Sequence, residues 1–291
     1  MQTKILWLSD NLREHWSPDP AASEIIRENM FAYAQSVAKP TTEFVLDFID
    51  TNIGREFALW SAYPRSFVRV EILERLRQAE IDGFDAAFPG MCFGEFFLQD
   101  ARQAVKMPVI GAAESSMLLA QMLGKRFAIV TVASRFENII MENIRSQGWE
   151  ARAIVNRPVR SWISPLPEMM IDAYAGRPDR LIEEFDRQAQ ECVRDGADVV
   201  ICGCNPYGAA LGQVGYKEVI GTGVPVVTPM AAQIKLAEHM VEVRRSIGLT
   251  KSEAEDGPYY STPQLILDDL EAHGVGIAEI RKPSAGRKDA A

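Results

Sequence analysis

One motif occurs twice in this chain and limits what it can fold into more than any other feature. Gly83-Phe84-Asp85-Ala86-Ala87-Phe88-Pro89-Gly90-Met91-Cys92 and Gly196-Ala197-Asp198-Val199-Val200-Ile201-Cys202-Gly203-Cys204 share one plan: Gly-x-Asp, a short apolar run, Gly, then Cys. Each is followed by a second apolar run entered through proline, Met107-Pro108-Val109-Ile110 and Val224-Pro225-Val226-Val227. The count then stays in step, with Leu119-Ala120 lying 11 and 12 residues beyond Pro108 and Leu236-Ala237 the same distance beyond Pro225. Gly and Pro punctuate β-α-β units in general. Punctuation alone does not put a cysteine at the same strand end in both copies. Two matched β-α-β units predict two similar lobes related by an approximate two-fold axis.

The rest of the chain supports that class. Residues 5–8, 44–48, 85–88, 108–110, 127–131, 198–201 and 225–228 are short apolar runs bounded by Gly, Pro or Asp. They do not alternate polar with apolar, as expected for parallel strands covered on both faces. Between them lie helical patterns. Ser134-Arg135-Phe136-Glu137 reads as a capping box, with Phe136, Ile139, Ile140 and Ile144 on one stripe and Gly148 as the left-handed terminator. Leu181, Ile182, Phe185, Ala189, Cys192 and Val193 repeat the stripe. Strands alternating with helices give an α/β protein with mostly parallel sheets and a ligand cleft between the lobes.

Composition excludes several functions. With 31 Lys plus Arg against 40 Asp plus Glu, the net charge of −9 opposes a general affinity for nucleic acid. No apolar run approaches the ~20 residues that cross a bilayer, so no membrane partner is expected. Residues 1–8 read as a first strand rather than a signal peptide. Four cysteines in 291 residues fit no disulfide framework, and a cytoplasmic, reducing setting is expected. Cys202 and Cys204 are two apart and the chain has three histidines, which does not suit zinc. Gly221 and Gly223 precede a strand rather than a helix, and no Gly-Lys-Ser/Thr phosphate loop occurs.

Ligands of open α/β sheets bind beyond the carboxyl ends of the strands. Cys92 and Cys204, 112 residues apart, both fall there. A helix start is expected after each, at Phe93-Gly94-Glu95 and at Asn205-Pro206-Tyr207-Gly208. Helix N-termini present unpaired N–H groups and a positive dipole end, which favour a thiolate or an oxyanion. Two thiols facing one ligand suit proton transfer at a carbon beside a carbonyl. One thiolate removes the proton, and the opposing thiol supplies another on the far face. Cys192 and Cys202 read as core residues.

The residues also resemble a known family. Cys92-Phe93-Gly94-Glu95 with Ala101-Arg102, Pro108-Val109-Ile110-Gly111 with Glu114 and residues 117–120, and Phe127-Ala128-Ile129-Val130-Thr131 occur in that order. They are followed by Gly203-Cys204, Gly223-Val224-Pro225-Val226 with residues 235–238, and Gly248-Leu249-Thr250-Lys251-Ser252 with Tyr260 and Pro263. This order is similar to the Asp/Glu/hydantoin racemase superfamily, most of all to its hydantoin and allantoin racemase branch.

The resemblance implies a racemase or epimerase that uses no cofactor, neither pyridoxal phosphate nor metal nor nucleotide. Cys92 and Cys204 would be the acid/base pair. By the resemblance Asn11 and Thr131 would bind the polar edge of a hydantoin-like or related cyclic amide; Phe93, Gly94, Asn205 and Pro206, at the helix starts expected after the two cysteines, are the further candidate substrate-binding residues. It places lobe 1 at residues 1–112 plus 229–270, lobe 2 at 113–228 and a polar tail at 271–291, and it implies a homo-oligomer acting on a small molecule. The chain departs from the family's pattern at Ser9-Asp10-Asn11, at Glu95-Phe96-Phe97, at Asn205-Pro206-Tyr207 and over the aromatic segment 50–67, which holds Trp60, Tyr63 and Phe67. The same superfamily includes malonate-type decarboxylases and maleate-type cis–trans isomerases that rely on one cysteine. A lyase, hydrolase or isomerase of that kind is therefore the alternative, and a non-catalytic binding protein is the third reading.

Overall fold

A computed structural model describes residues 1–9, 19–49, 62–89, 95, 97–162 and 167–274. The chain forms two parallel sheets. In the first, β1 (Thr3–Ser9) lies between β2 (Thr42–Phe48) and β3 (Ala86–Pro89). In the second, the order is β5 (Val159–Ser161), β4 (Phe127–Thr131), β6 (Val199–Cys202) and β7 (Val226–Val227). The expected strand at 108–110 is reduced to one parallel bridge, Ala87 to Val109. It is fixed by Ala87 N–H to the Pro108 carbonyl and Ile110 N–H to the Ala87 carbonyl, both 3.0 Å. With that bridge counted, each sheet runs in the same order: second strand, first strand, third strand, Pro-led strand. The repeat seen in the sequence therefore corresponds to a repeated sheet.

The helices are α1 (Pro20–Val37), α2 (Ala62–Ile81), α3 (Leu98–Ala104), α4 (Ala112–Leu123), α5 (Ser134–Ser146), α6 (Pro167–Tyr174), α7 (Asp179–Arg194), α8 (Asn205–Gln213), α9 (Pro229–Ile247) and α10 (Gln264–Ala272). Each sheet is covered on both faces, which explains why its strands show no alternation. Leu6, Leu8 and Ala87 pack with α2 and α3. Phe127, Ile129, Val199 and Ile201 pack with α4 and α5. The opposite faces of both sheets, with Ile5, Trp7 and Phe88 on one and Val130 and Val200 on the other, join one cluster. Ile26, Met30 and Ala34 of α1 belong to that cluster too. α1 also packs against α6, α8 and α9, so the two sheets share a core through it.

Two local expectations change. Ser134 is the first helical residue rather than the cap, Ala133 precedes it, and no side-chain cap bond forms. Glu137 is engaged elsewhere, because its Oε1 accepts from the Ser161 hydroxyl at 2.6 Å on β5. A tertiary partner thus displaces the local capping box. α10 also runs to Ala272, so helix rather than tail occupies the first residues after 270. Gly148 does end its helix in the left-handed region, at φ 78°.

Candidate active site at the carboxyl edge of the second sheet

β4 and β6 end together, with Val130 opposite Cys202. The chain then turns through Gly203 into α8. Gly203 is required there, because a Cβ would stand 2.8 Å from Ile129 Cγ2 and 3.0 Å from Thr131 Cβ on the neighbouring strand. Cys204 is the N-cap of α8, in extended backbone (φ −152°, ψ 125°), and its carbonyl accepts from Gly208 N–H at 2.8 Å. Pro206 sits in the first turn, where its missing N–H costs nothing. Gly208 lets α8 approach α9, since a Cβ would meet Pro229 Cδ at 2.6 Å.

Three cysteines are described, all free, and their surroundings differ. Burial pushes the Cys192 thiol up to about 12 on α7. Burial likewise raises the Cys202 thiol, and its Sγ lies 3.5 Å from the Cys204 carbonyl. These are core thiols, as the sequence indicates. Cys204 alone of the three stands at a helix N-terminus beyond a strand end.

Thr131 is fully buried, and its hydroxyl donates to the Gly203 carbonyl at 3.3 Å, bracing the turn that carries Cys204. Asn205 is also fully buried. Its Nδ2 donates to Gln233 Oε1 at 3.4 Å, and Gln233 Nε2 donates to the Ile110 carbonyl at 2.7 Å. Gln233 on α9 therefore ties the start of α8 to the end of the Pro-led segment of the first sheet. Asn11, Cys92, Phe93 and Gly94 lie outside the described residues, as does Trp60. Tyr63 and Phe67 meet edge to face at 5.3 Å on α2, and both are exposed.

Several buried residues around α8 give no local sequence signal. Tyr174, the last residue of α6, has a buried hydroxyl without a partner among the described residues, as have Trp162 Nε1 and Asn205 Oδ1. Trp162 meets Tyr207 of α8 edge to face at 4.8 Å. Burial, and secondly the charge of Cys204, raise the phenols of Tyr174 and Tyr207 above the ordinary tyrosine range.

Glu95, three residues after Cys92 in the sequence, is buried against the N-terminus of α4. Its carboxylate oxygens accept from Ala113 N–H at 2.6 Å and Glu114 N–H at 3.2 Å. Gly111 leaves the room, because a Cβ there would land on that carboxyl group. Burial outweighs the two N–H donors and pushes the Glu95 carboxyl up to about 8. Glu114 in turn pairs with Arg102, which also donates to the Val109 carbonyl at 3.1 Å.

The family model described as Asp/Glu/Hydantoin racemase matches residues 19–237. The chain belongs to the Asp/Glu/hydantoin racemase family. It is an isomerase of the racemase class, as the characterised relatives indicate. It is 28% identical over 220 residues to a hydantoin racemase of Pseudomonas sp. (strain NS671), covering 75% of this chain and 82% of that protein. It is 30% identical over 171 residues to a hydantoin racemase of Rhizobium meliloti, covering 58% and 66%. Among solved structures, allantoin racemase from Klebsiella pneumoniae shares the fold, with TM-score 0.67, 24% identity and 90% of this chain covered against 94% of that one. Allantoin racemase from Pseudomonas fluorescens does so too, with TM-score 0.67, 24% identity, and 89% and 97% covered. Among the described residues, no helix is long and apolar enough to cross a membrane.

Proposed function

We propose that this racemase acts without a cofactor on a hydantoin-like or related cyclic amide, and that Cys92 and Cys204 are its acid/base pair. The observation that carries this reading is Cys204 at the N-cap of α8, beyond β6, in a chain whose repeat gives Cys92 the matching position after β3. One thiolate takes the proton from the ring carbon next to the carbonyl. The C–H electron pair moves toward the carbonyl oxygen, giving an enolate. The opposing thiol then donates its proton to the other face, leaving the inverted carbon and a thiolate. Backbone N–H groups of the first turn of α8 are oriented to hold an oxyanion. Asn11, Phe93, Gly94, Thr131, Asn205 and Pro206 complete the substrate-binding set, either by contact or, for Thr131, by bracing the turn.

The lobe division at 1–112 plus 229–270 and 113–228 belongs to the same proposal, supported by the matching order of the two sheets. So do a homo-oligomeric assembly and a cytoplasmic setting. The names of the relatives support a cyclic amide as substrate, and the paired cysteines support transfer on both faces.

The test is optical rotation of single enantiomers of 5-substituted hydantoins and of allantoin with wild-type protein, Cys92→Ser and Cys204→Ser. Racemisation by wild type and its loss in both variants is expected. A variant that racemises at the wild-type rate removes its cysteine from the mechanism. A covalent adduct on one cysteine, with the other dispensable, transfers the assignment to nucleophilic catalysis.

A further inference from the structure

Two buried polar atoms, one on α8 and one on the helix packed against it, lack a partner among the described residues, and they have complementary character. The first is the Tyr174 hydroxyl, buried at the end of α6 and without a partner among the described residues. α6 packs against α8, and Tyr174 packs on the cluster that holds Cys204 and Tyr207. Its phenol is held above the ordinary tyrosine range, so at neutral pH it is a donor. The second is Asn205 Oδ1, on the residue next to Cys204.

The orientation of the Asn205 amide follows from its neighbours. The Ile110 carbonyl can only accept, so Gln233 must present Nε2 to it, at 2.7 Å. Gln233 Oε1 is thereby turned toward Asn205 as an acceptor, and Asn205 must answer with Nδ2, at 3.4 Å. The atom left over is Oδ1, an acceptor with no donor. A buried polar atom left unpaired costs stability, and native structures leave few of them. One unpaired donor on α6 and one unpaired acceptor on α8, the helix that Cys204 caps, form a complementary set.

An amide in a five-membered ring is forced cis, so its N–H and C=O lie on the same edge. An open-chain secondary amide is trans and presents them on opposite edges. We propose that Tyr174 and Asn205 form an amide-reading pair for the cis-amide edge of a cyclic substrate, with the Tyr174 O–H donating to a ring carbonyl and Asn205 Oδ1 accepting the adjacent ring N–H. Tyr174 is then a substrate-binding residue additional to those expected from the sequence. The pair selects ring amides over open-chain secondary amides and over amino acids. This deepens the reading given under Proposed function by naming the chemistry of the ligand edge, and it rests on that reading only for the choice of ring.

The experiment measures binding separately from turnover. A 5-substituted hydantoin, its N1-methyl and N3-methyl derivatives and the matching open-chain N-acetyl amino acid N-methylamide, whose amides are all secondary and trans, are titrated calorimetrically into wild-type protein and Tyr174→Phe. Thermal melting is recorded for both. Tyr174→Phe should bind the hydantoin about 10-fold more weakly. It should melt at the same or a higher temperature, because an unsatisfied hydroxyl has been removed. A merely structural tyrosine would not give that combination. One of the two N-methyl derivatives should lose about the same factor against wild type, with no change in the protein at all.

Equal hydantoin affinity in wild type and Tyr174→Phe overturns the proposal. So do equal affinities for the ring and the open-chain compound, and so does a wild type that binds no hydantoin. Hydantoin bound and weakened as described, but never racemised, keeps the pair and removes the racemase reading of the substrate instead.

Discussion

Replacing Glu95 by glutamine tests how burial and a helix N-terminus compete for one carboxyl group. The group is fully enclosed, and its pKa rises from the ordinary 4.5 to about 8 even though Ala113 and Glu114 donate to it. The folded protein therefore holds this proton more tightly than the unfolded chain does. Between about pH 4.5 and 8 the native state binds more protons, so unfolding free energy falls as pH rises through that window. At 1.36 kcal/mol per unit, the 3.5 units between 4.5 and 8 set a loss of at most about 5 kcal/mol. Glutamine keeps one acceptor oxygen and loses the other, which costs about 1–2 kcal/mol at every pH. The variant should thus be less stable than wild type by about that amount at pH 5, and more stable by about 1–3 kcal/mol at pH 8.5. Denaturant unfolding of both proteins at half-unit steps from pH 5 to 9 gives the difference curve, in which all other titrating groups cancel. A constant offset across that range would falsify the assignment of the raised pKa to Glu95.

Other consequences follow from single contacts. Gly208→Ala drives a methyl into Pro229 and should lower stability by about 1–3 kcal/mol, read as a reduced melting temperature. Gln233→Leu leaves the Ile110 carbonyl and Asn205 Nδ2 unpaired in the interior. Chemical denaturation should show a loss of about 2–4 kcal/mol, and the same protein should lose activity because Asn205 is freed to rotate. Cys192 and Cys202 should resist alkylation in the native protein and react only after unfolding, as peptide mapping after timed iodoacetamide exposure would show.

Much of this fold is legible along the chain because its information is local. The strand runs, the glycine at 148 and the Cys-Gly-Cys turn into a proline-led helix all announce themselves through neighbours within a few residues. The repeat with a cysteine at each strand end locates Cys204 correctly at the start of α8. The three-residue β5 has no apolar run to betray it and exists by pairing with β4. The 108–110 segment looks like a full strand yet achieves one bridge. The capping box at Ser134 fails because Ser161, far along the chain, takes the glutamate. The polar set around Cys204 is hidden for the same reason. Gln233 acts through partners 28 and 123 residues away, Tyr174 comes from a separate helix packed against α8, and Glu95 finds its donors 18 and 19 residues on. No periodicity encodes such meetings; only packing of the two sheets around α1 brings them about.

The account rests on two thiols working from opposite faces of one carbon. The most direct test incubates a single hydantoin enantiomer with the enzyme in D₂O and follows deuterium by mass spectrometry in each separated enantiomer during the first few per cent of turnover. With two bases, deuterium enters the product enantiomer while the recovered substrate keeps its hydrogen. Deuterium appearing equally fast in the unreacted enantiomer would mean that one exchangeable base serves both faces, and the cysteine pair would have to be abandoned.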